Sequence, residues 1–453
     1  ETHISVVFLA GDSAYKIKRA LRTPFLDYST LEKRRYFCWR EVADNRELAP
    51  GVYRGVVPIN AMGRIGGSGQ PVEYAVWMRR LPDDGMLDER LRAGRVGEAD
   101  IDRIAGRIAA FHAQAPRVTP ASFIGKVDHH LKTVRTWLPD RWYDAIAARN
   151  AAFAASNRDL LDRRAAAGRC VDGHGDLHAG NVCLVGDDVI CYDCIEFNPA
   201  FREADVAADL GFLVMDIQRH GAWRLADRLV ERYVAASGDT ELPSLLDYIA
   251  RHRACVRGGV TCMQERDGMP YFRLAAQYGV TPFTTMLCGL PGTGKSYVAD
   301  ALTRAFDTEI LRTDAVRKEL WGMDPTDHWE GGYDEGPYSP SMTDKTYAEM
   351  RARERAFRAH GRRVVLDATF DRAAARALFP DALVAHVECS DEVVRERLAA
   401  RAGDETAVSD ADWAVYEKRR AGFEAPPAPD AHYDGAGNPD ALVDAILELV
   451  VDR

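Results

Sequence analysis

The chain has 453 residues, of which 47% are hydrophobic and 28% charged. This composition is typical of folded globular proteins and excludes global disorder. A length about three times that of an average domain predicts at least two domains. The net charge is −10, and residues 284–453 carry the negative excess, so we exclude nucleic acid as the main partner.

Membrane and secretory features are missing from the sequence. No apolar run approaches the ~18 residues that a membrane-spanning helix needs, and no segment has the character of a signal peptide. The nine cysteines are an odd number spread along the chain, which favours reduced thiols. Cys191 and Cys194 have C-x-x-C spacing but lie in an apolar run, so we interpret them as buried thiols. We therefore expect a cytoplasmic protein with no membrane partner.

Residues 1–280 are predicted to form a strand-rich lobe, about 1–80, followed by a helix-rich lobe, about 81–280. Gly11-Asp12 is a turn-forming pair between two β-rich runs, which predicts a hairpin. Helical periodicity dominates after residue 81, interrupted by a β-like island at 170–197. In chain order, the elements predicted for the first lobe are strands 4–10 and 14–19, a helix at 31–48, and strands 52–59 and 74–78.

The pattern changes near residues 279–283, where we place a domain boundary. Residues 284–453 alternate strands with helices, as in a parallel α/β sheet. The predicted strands are 284–288, 308–312, 363–366 and 383–388. Residues 424–440 are rich in Pro, Gly and Ala and are interpreted as a loop before the last helix, 439–451.

The segment Gly289-Leu290-Pro291-Gly292-Thr293-Gly294-Lys295-Ser296 matches the complete P-loop pattern G-x-x-x-x-G-K-[ST]. It follows a predicted strand and precedes a helix, which is the context that this pattern needs. The glycines allow backbone N–H groups to surround phosphate oxygens. Lys295 is predicted to reach the β- and γ-phosphates, and Ser296 to bind Mg²⁺. The cofactor-binding candidates here are Gly289, Gly292, Thr293, Gly294, Lys295 and Ser296.

Two carboxylates follow predicted strands of the same region. Asp367 ends an apolar strand and is expected to support Mg²⁺, with capping of the next helix as the alternative. Asp314 follows the second strand and is expected to engage the acceptor hydroxyl. With Arg317, Asp314 forms a motif that resembles the small P-loop kinases of the gluconate-kinase and zeta-toxin type. The resemblance implies an arginine-rich lid over the nucleotide, for which Arg397 and Arg401 are the candidates.

A second catalytic pattern lies in the β-like island. His174 to Asn181 reads H-x-D-x-x-x-x-N, and Asp193 follows twelve residues later. Phosphoryl transfer of the protein-kinase type uses these residue types in this order. Asp176 is predicted to be the base, while Asn181 and Asp193 are predicted to hold the metal.

These residues resemble aminoglycoside phosphotransferases and choline kinases, the small-molecule branch of the protein-kinase fold. The resemblance implies that Lys16 orients phosphates, with Lys18 as the less favoured register, and that Glu41 is its ion-pair partner. It also implies an adenine-binding hinge near Arg79 to Leu81, with Met78 and Leu81 as candidates. His112, Asp205 and Asp209 match positions of the same family. We interpret His112 as a packed core histidine and the two aspartates as helix-capping or loop-bracing residues. Whether Glu196 lies near the metal is left open.

The predicted fold class is therefore a two-domain α+β and α/β protein. A bilobal, protein-kinase-like domain (1–280) precedes a P-loop domain with a parallel sheet (284–453). We expect Mg²⁺-dependent transfer of the γ-phosphoryl group of ATP or GTP to a hydroxyl of a small polar molecule. Two alternatives stay open: one domain alone is catalytic and the other is a nucleotide sensor or substrate platform, or the protein is an ATP-driven switch.

Overall fold

The computed structural model describes residues 4–119, 123–329, 331, 335–401 and 411–453. The chain folds into two compact units, Glu1–Tyr278 and Gly279–Arg453, which we call the first and second units. Within the described residues, no helix is long and apolar enough to cross a membrane.

The first unit begins with a four-stranded antiparallel sheet that packs against one helix. Its elements are β1 (Ser5–Ala10), β2 (Ser13–Lys18), α1 (Leu31–Asp44), β3 (Tyr53–Asn60) and β4 (Pro71–Arg79). The strand order is β1-β2-β4-β3, and β1 and β2 form the predicted hairpin. Gly11 turns the chain between them at a φ of +55°, a conformation that glycine adopts without a Cβ clash. Helix α1 ends at Asp44, four residues earlier than predicted.

The rest of the first unit is mainly helical. Its elements are α2 (Leu87–Arg92), α3 (Glu98–Gln114), α4 (Phe123–Val134), α5 (Asp140–Ser156), α6 (Arg158–Ala166), β5 (Cys170–Asp172), β6 (Val182–Val185), β7 (Asp188–Cys191), β8 (Glu203–Asp205), α7 (Ala207–Arg219), α8 (Trp223–Ser237), α9 (Pro243–Met263) and α10 (Met269–Gln277). The predicted apolar stripe of α3, including Ile101, Ile104 and Ile108, lies in the core beside α7 and α8. Two small antiparallel pairs, β5–β8 and β6–β7, carry the loop of the catalytic pattern.

The second unit is a five-stranded parallel sheet with helices between its strands. Its elements are β9 (Thr284–Cys288), α11 (Lys295–Phe306), β10 (Thr308–Arg312), α12 (Thr313–Trp321), α13 (Pro340–Ala359), β11 (Arg363–Asp367), α14 (Ala373–Ala377), β12 (Leu383–Glu388), α15 (Asp391–Arg401), α16 (Trp413–Ala421), β13 (Ala431–Asp434) and α17 (Asp440–Val450). The strand order is β10-β11-β9-β12-β13, so the P-loop leaves the central strand.

One element of the second unit was not predicted. Residues 424–440 were interpreted as a loop, but Ala431–Asp434 form the edge strand β13, which pairs in parallel with β12. The loop prediction is wrong here because tertiary pairing with β12 decides the conformation of four residues surrounded by Pro and Gly. The predicted fold class is confirmed: a small sheet lobe and a helical lobe form the first unit, and a parallel P-loop sheet forms the second.

Candidate active site

Lys16 lies at the centre of a buried cluster of charged side chains in the first unit. Alternate residues of β2 face inward, which places Ala14, Lys16 and Lys18 on the buried face of the sheet. The Lys16 Nζ is 2.9 Å from Oε1 of Glu41, the predicted partner on α1, and it also contacts the carboxylate of Asp193. The structure thus brings together three residues that are far apart in the sequence.

Lys18 belongs to the same cluster but faces another carboxylate. Its Nζ is 2.7 Å from Oε2 of Glu41 and contacts Glu196, which also accepts a hydrogen bond from Tyr28. Lys16 and not Lys18 contacts Asp193, so the favoured register is the one that joins all three predicted residues. Glu196 is buried against Lys18 and Tyr28. The sequence analysis named Lys18 and Glu196 separately but predicted neither their ion pair nor the contact with Tyr28.

The pKa of Lys16 reflects this surrounding charge. Burial lowers the pKa, but the carboxylates of Asp193 and Glu41 outweigh burial and hold it well above the ordinary lysine value. Burial likewise raises the pKa of Glu41, while Lys16 and Lys18 lower it by a larger amount. Lys16 is therefore protonated and Glu41 ionised at neutral pH.

The loop from His174 to Asn181 is held by the side chain of Asp209 on α7. The two oxygens of Asp209 accept hydrogen bonds from the backbone N–H groups of His174 at 2.7 Å and Gly175 at 2.8 Å. Asn181 Nδ2 donates to the backbone carbonyl of Asp176 at 2.9 Å, which closes the loop on itself. Asp209 therefore braces this loop, in agreement with its predicted structural role.

The backbone also links the two residues that are predicted to hold metal. The N–H of Tyr192, the residue before Asp193, donates to the carbonyl of Asn181 at 3.0 Å. The ring of His174 lies 3.0 Å from the Tyr192 carbonyl, so the loop and the strand end are joined twice. Asp193 itself has a left-handed backbone, with a φ of +64°, and its N–H donates to the Tyr53 hydroxyl. That strained conformation turns its carboxylate toward Lys16.

Asp176 lies among polar groups that sequence reasoning missed. Nε2 of His178 is 3.6 Å from Asp176, and its Nδ1 is 3.9 Å from Asp216 on α7. Burial raises the pKa of Asp176, but His178 and Arg257 outweigh it and hold the pKa well below its usual range. Asp176 is consequently ionised at neutral pH. His178 was visible within the motif, whereas Asp216 and Arg257 carried no local sequence signal.

The predicted hinge follows β4. Met78 pairs in register with Ala14, and Leu81 packs against the apolar cluster that contains both. The backbone N–H groups of Arg79 and Arg80 donate to Val52 and Asp12. Of the three expected hinge positions, Leu81 is therefore the best-placed candidate for adenine, and its role stays a prediction. His112 is buried and hydrogen-bonded to Tyr233 at 2.8 Å, as expected of a core histidine.

In the second unit, the P-loop connects β9 to α11 through glycines with positive φ. Gly292 has a φ of +80° and Gly294 a φ of +101°. A Cβ on Gly289 would lie 2.2 Å from the backbone oxygen of Val387, so that position accepts no side chain. The loop is stabilised by two hydrogen bonds to the Leu290 carbonyl, from Thr293 Oγ1 at 2.9 Å and Lys295 Nζ at 2.8 Å.

Lys295 has no carboxylate partner within 4.0 Å among the described residues. Burial lowers its pKa below the ordinary lysine value, and the nearby charges of Asp367 and Asp314 restore only part of the shift. Ser296 Oγ donates to Asp367 Oδ2 at 2.9 Å, so the two predicted metal-binding residues of this unit are adjacent. Arg312 lies 3.4 Å from the same carboxylate.

The predicted residues of the second unit surround one cavity of about 1720 Å³. Its walls include Gly292, Gly294, Lys295, Ser296, Asp314, Asp367 and Arg397. Gly289 and Thr293 belong to the P-loop but are not among the residues that line the cavity. Asp314 lies in the first turn of α12, immediately after β10. Arg397 Nη2 donates to the carbonyl of Gly435 at 2.9 Å, whereas the side chain of Arg401 lies outside the described residues.

Arg317 is a further cavity residue whose role the sequence left open. It is buried, its Nη1 is 3.4 Å from Asp314 Oδ1, and its guanidinium stacks 4.8 Å from the ring centre of Tyr338. Its Nε has no hydrogen-bond partner in the described part of the chain. The positively charged guanidinium of Arg317 therefore lies in the cavity beside Asp314, the carboxylate that is predicted to engage the acceptor.

Comparison with protein families identifies an AAA domain at residues 285–426. The uncharacterized protein Rv2004c of Mycobacterium tuberculosis is 32% identical over 440 residues, which cover 89% of this chain and 86% of that protein. The uncharacterized protein Mb2027c of Mycobacterium bovis matches with the same identity and coverage.

Several solved kinase structures resemble parts of the chain. A choline/ethanolamine kinase family protein from Mesorhizobium loti is 15% identical and covers 61% of this chain and 83% of its own, with a TM-score of 0.39. A gluconokinase from Sinorhizobium meliloti is 18% identical and covers 37% of this chain and 91% of its own, with a TM-score of 0.26. These structural similarities are too low to assign an activity. The near full-length match to the mycobacterial proteins is decisive: the chain belongs to the family of Rv2004c and carries a P-loop AAA domain in its second unit.

Proposed function

We propose that this protein is a Mg²⁺-dependent phosphotransferase with two nucleotide-using sites. Each site transfers the γ-phosphoryl group of ATP or GTP to a hydroxyl of a small polar molecule. The convergence of Lys16, Glu41 and Asp193 beside the braced Asp176 loop is the observation that carries the proposal. A switch or a binding platform would need no ionised carboxylate at the position of Asp176.

In the first site, Asp176 is the general base. Its ionised carboxylate accepts the proton of the acceptor hydroxyl as that oxygen forms a bond to the γ-phosphorus and the bond to the β-phosphate oxygen breaks. Lys16, held by Glu41, orients the phosphates. Little covalent help is required from the protein, because positioning and charge neutralisation supply most of the rate enhancement in phosphoryl transfer.

In the second site, Asp314 engages the acceptor hydroxyl, the role that Asp176 has in the first site. The Lys295 ammonium binds phosphate oxygens, and phosphate charge favours its protonated form in spite of burial. Arg397 lines the cavity and is the candidate for the arginine that closes over the nucleotide phosphates. The match to an AAA domain supports nucleotide binding in this unit.

Oxygen donors in both units suit Mg²⁺, which prefers carboxylate, amide and hydroxyl oxygens. Asn181 and Asp193 would hold it in the first unit, and Ser296 and Asp367 in the second. Bound Mg²⁺ would neutralise phosphate charge. The 2.9 Å contact between Ser296 and Asp367 supports this assignment, because it already places two oxygen donors side by side.

The surroundings of Asp176 favour an acceptor that carries a negative charge. Arg253 and Arg257 lie one turn apart on α9, and both act electrostatically on Asp176. Among the described residues, Arg257 forms no ion pair with a carboxylate within 4.0 Å and its Nε has no hydrogen-bond partner, while its guanidinium lies 5.9 Å from the ring centre of Tyr271. A guanidinium without a carboxylate partner beside the base is suited to a carboxylate or phosphate group of the acceptor.

Calorimetric titration of a non-hydrolysable ATP analogue with Mg²⁺ tests the two-site proposal. We expect two sites in the wild type, one lost in Asp193→Ala and the other lost in Lys295→Ala. GTP and its analogue are titrated in the same way to identify the preferred nucleotide. A single site abolished by Lys295→Ala alone would contradict the kinase role of Asp176.

Acceptor charge is tested by turnover with matched compounds. Gluconate and glucose 6-phosphate represent anionic acceptors, glucose and glycerol neutral ones, and choline and kanamycin cationic ones. We expect phosphorylation to favour the anionic group and Arg257→Met to raise KM more than it lowers kcat. Preferential phosphorylation of kanamycin or choline would contradict an anionic acceptor while leaving the phosphotransferase activity intact.

A further inference from the structure

The edge of the parallel sheet in the second unit carries two histidines and a glutamate on one face. His386 of β12 and His432 of β13 are direct partners in the parallel register, so their side chains leave the sheet on the same side. Glu388 lies two residues beyond His386 and shares that face. This group was not predicted because the two histidines are 46 positions apart in the sequence and β13 was not expected.

The donor atoms of these three residues are close enough for one ion. Each contributes one nitrogen or oxygen, and these atoms lie within 4.8 Å of one another. Nδ1 of His386 and Oε1 of Glu388 are 3.4 Å apart. Tetrahedral coordination with metal–ligand bonds of about 2.0–2.1 Å separates neighbouring ligands by about 3.3 Å. One pair therefore already has the required separation, and a side-chain rotation of His432, which is exposed, can bring in the third.

Of the three side chains, His386 is buried and held in place by its neighbours, whereas Glu388 and His432 are exposed to solvent. The ring of His386 is buried and stacks on Phe423 with centroids 5.8 Å apart and an interplanar angle of 21°. Packing of this kind orients a metal-binding imidazole before the ion arrives. Asp434 pairs in register with Glu388 on the same face, which adds negative potential. Arg376 is the nearby opposing charge, and its Nη1 donates to the carbonyls of Phe370 and Glu424.

We propose that His386, Glu388 and His432 form a binding site for a first-row divalent cation of the Zn²⁺ or Co²⁺ class. Two imidazoles and one carboxylate suit these ions, whereas Mg²⁺ and Ca²⁺ prefer oxygen ligands alone. The site is separate from the residues that line the 1720 Å³ cavity. It does not depend on the proposed phosphotransferase activity.

A cation at this position joins the edge strand β13 to β12. β13 leads directly into Gly435, whose N–H donates to the Glu388 carbonyl at 2.7 Å and whose carbonyl accepts from Arg397. Gly435, Ala436 and Gly437 line the cavity that contains the P-loop. The bound ion therefore stabilises the segment that forms one wall of the predicted nucleotide site.

The test uses the full chain, stripped with a chelator and kept in excess Mg²⁺ so that oxygen-rich sites are occupied. Cys262 and Cys389, the two cysteines that are not fully buried, are replaced by Ser in every sample to remove thiolate ligands. Zn²⁺ is titrated by calorimetry and Co²⁺ by visible absorption. His432→Ala and Glu388→Gln remove exposed ligands, and His360→Ala is the matched control because His360 is exposed immediately after α13.

We expect one equivalent of Zn²⁺ to bind, with affinity reduced at least tenfold in His432→Ala and Glu388→Gln and unchanged in His360→Ala. Amide hydrogen exchange of residues 431–435 is expected to slow when Zn²⁺ is added to the parent protein and not to slow in His432→Ala. Absence of stoichiometric binding in the parent protein would overturn the proposal. So would equal affinity in His432→Ala and His360→Ala.

Discussion

The two lysines that are predicted to bind phosphate lie in contrasting surroundings. Lys16 of the first unit contacts the carboxylates of Glu41 and Asp193, and its pKa is raised. Lys295 of the second unit donates to a backbone carbonyl, and burial lowers its pKa. The lysine of the first site is thus positioned by ion pairs with side chains, and that of the second site by a hydrogen bond to the backbone of the P-loop.

This difference has a consequence for mutation. Removing one member of a buried charge cluster leaves its partners desolvated and unpaired, which costs stability. A charged residue without a carboxylate partner can be replaced by an apolar one at small cost. The two sites should therefore respond differently to the same substitution.

The largest contrast is expected between Lys16→Met and Lys295→Met. Lys16→Met leaves Asp193 without its lysine and should destabilise the first unit by about 3–5 kcal/mol. Lys295→Met removes one hydrogen bond and should change the stability of the second unit by no more than about 1 kcal/mol. Hydrogen exchange of peptides from each unit measures the two effects separately. Equal destabilisation in both units would contradict the distinction between them.

Asp209→Asn should weaken the loop that carries Asp176. Burial raises the pKa of Asp209, but His112 and His174 outweigh it and lower the pKa to about 2. The ionised form therefore contributes stability above the ordinary pKa of ~3.9, and this contribution is lost as pH falls toward 2. We expect Asn to cost about 2–3 kcal/mol at neutral pH, because it replaces charge-assisted hydrogen bonds to two N–H groups. Denaturant unfolding at pH 7 measures this loss.

Asp205→Asn serves as a control on the neighbouring strand. Asp205 pairs with Arg164 and, among the described residues, makes no side-chain contact with the loop from His174 to Asn181, so it tests whether any lost carboxylate in this region has the same effect on turnover. Turnover that falls in Asp205→Asn as far as in Asp209→Asn would show that Asp209 has no special role in positioning Asp176.

Gly292→Ala probes the corresponding loop of the second unit. Its φ of +80° and a predicted approach of 2.9 Å between the new Cβ and Val394 both oppose a side chain. We expect a loss of about 1–2 kcal/mol, the usual cost of a left-handed backbone for a residue with a Cβ. Nucleotide-analogue binding should weaken in this unit. Gly322→Ala is the control, because its φ is also positive but nothing lies within 4 Å of its Cβ. Equal nucleotide affinity in the two variants would contradict a role for the P-loop backbone.

The smallest expected effect is a difference in pH dependence. Phosphate binds the protonated lysine, so affinity is full below the lysine pKa and falls as pH rises through it. Because the pKa of Lys295 is lowered and that of Lys16 is raised, the phosphate affinity of the second site should begin to fall at a lower pH than that of the first site. Calorimetry with Asp193→Ala and Lys295→Ala isolates each site. Identical pH profiles would contradict the difference in lysine environment.

Local motifs account for much of what was predicted. The P-loop could be read directly because its glycines and its Lys-Ser pair are contiguous, and β9 and α11 followed from hydrophobic patterning. The order of Asp176, Asn181 and Asp193 likewise indicated one cleft. The ion pair between Lys18 and Glu196 was not predictable, since a buried pair between residues 178 positions apart leaves no local pattern.

The two-part fold class, the P-loop and the candidate residues of both sites could be predicted from the sequence, because these depend on short-range periodicity and contiguous motifs. The remaining features depend on contacts between distant parts of the chain. Tertiary structure placed Asp209 under the catalytic loop, Arg257 beside Asp176, and His432 beside His386. Each of these contacts joins separate elements, and their alignment depends on packing of the whole unit, which no local stretch of sequence encodes.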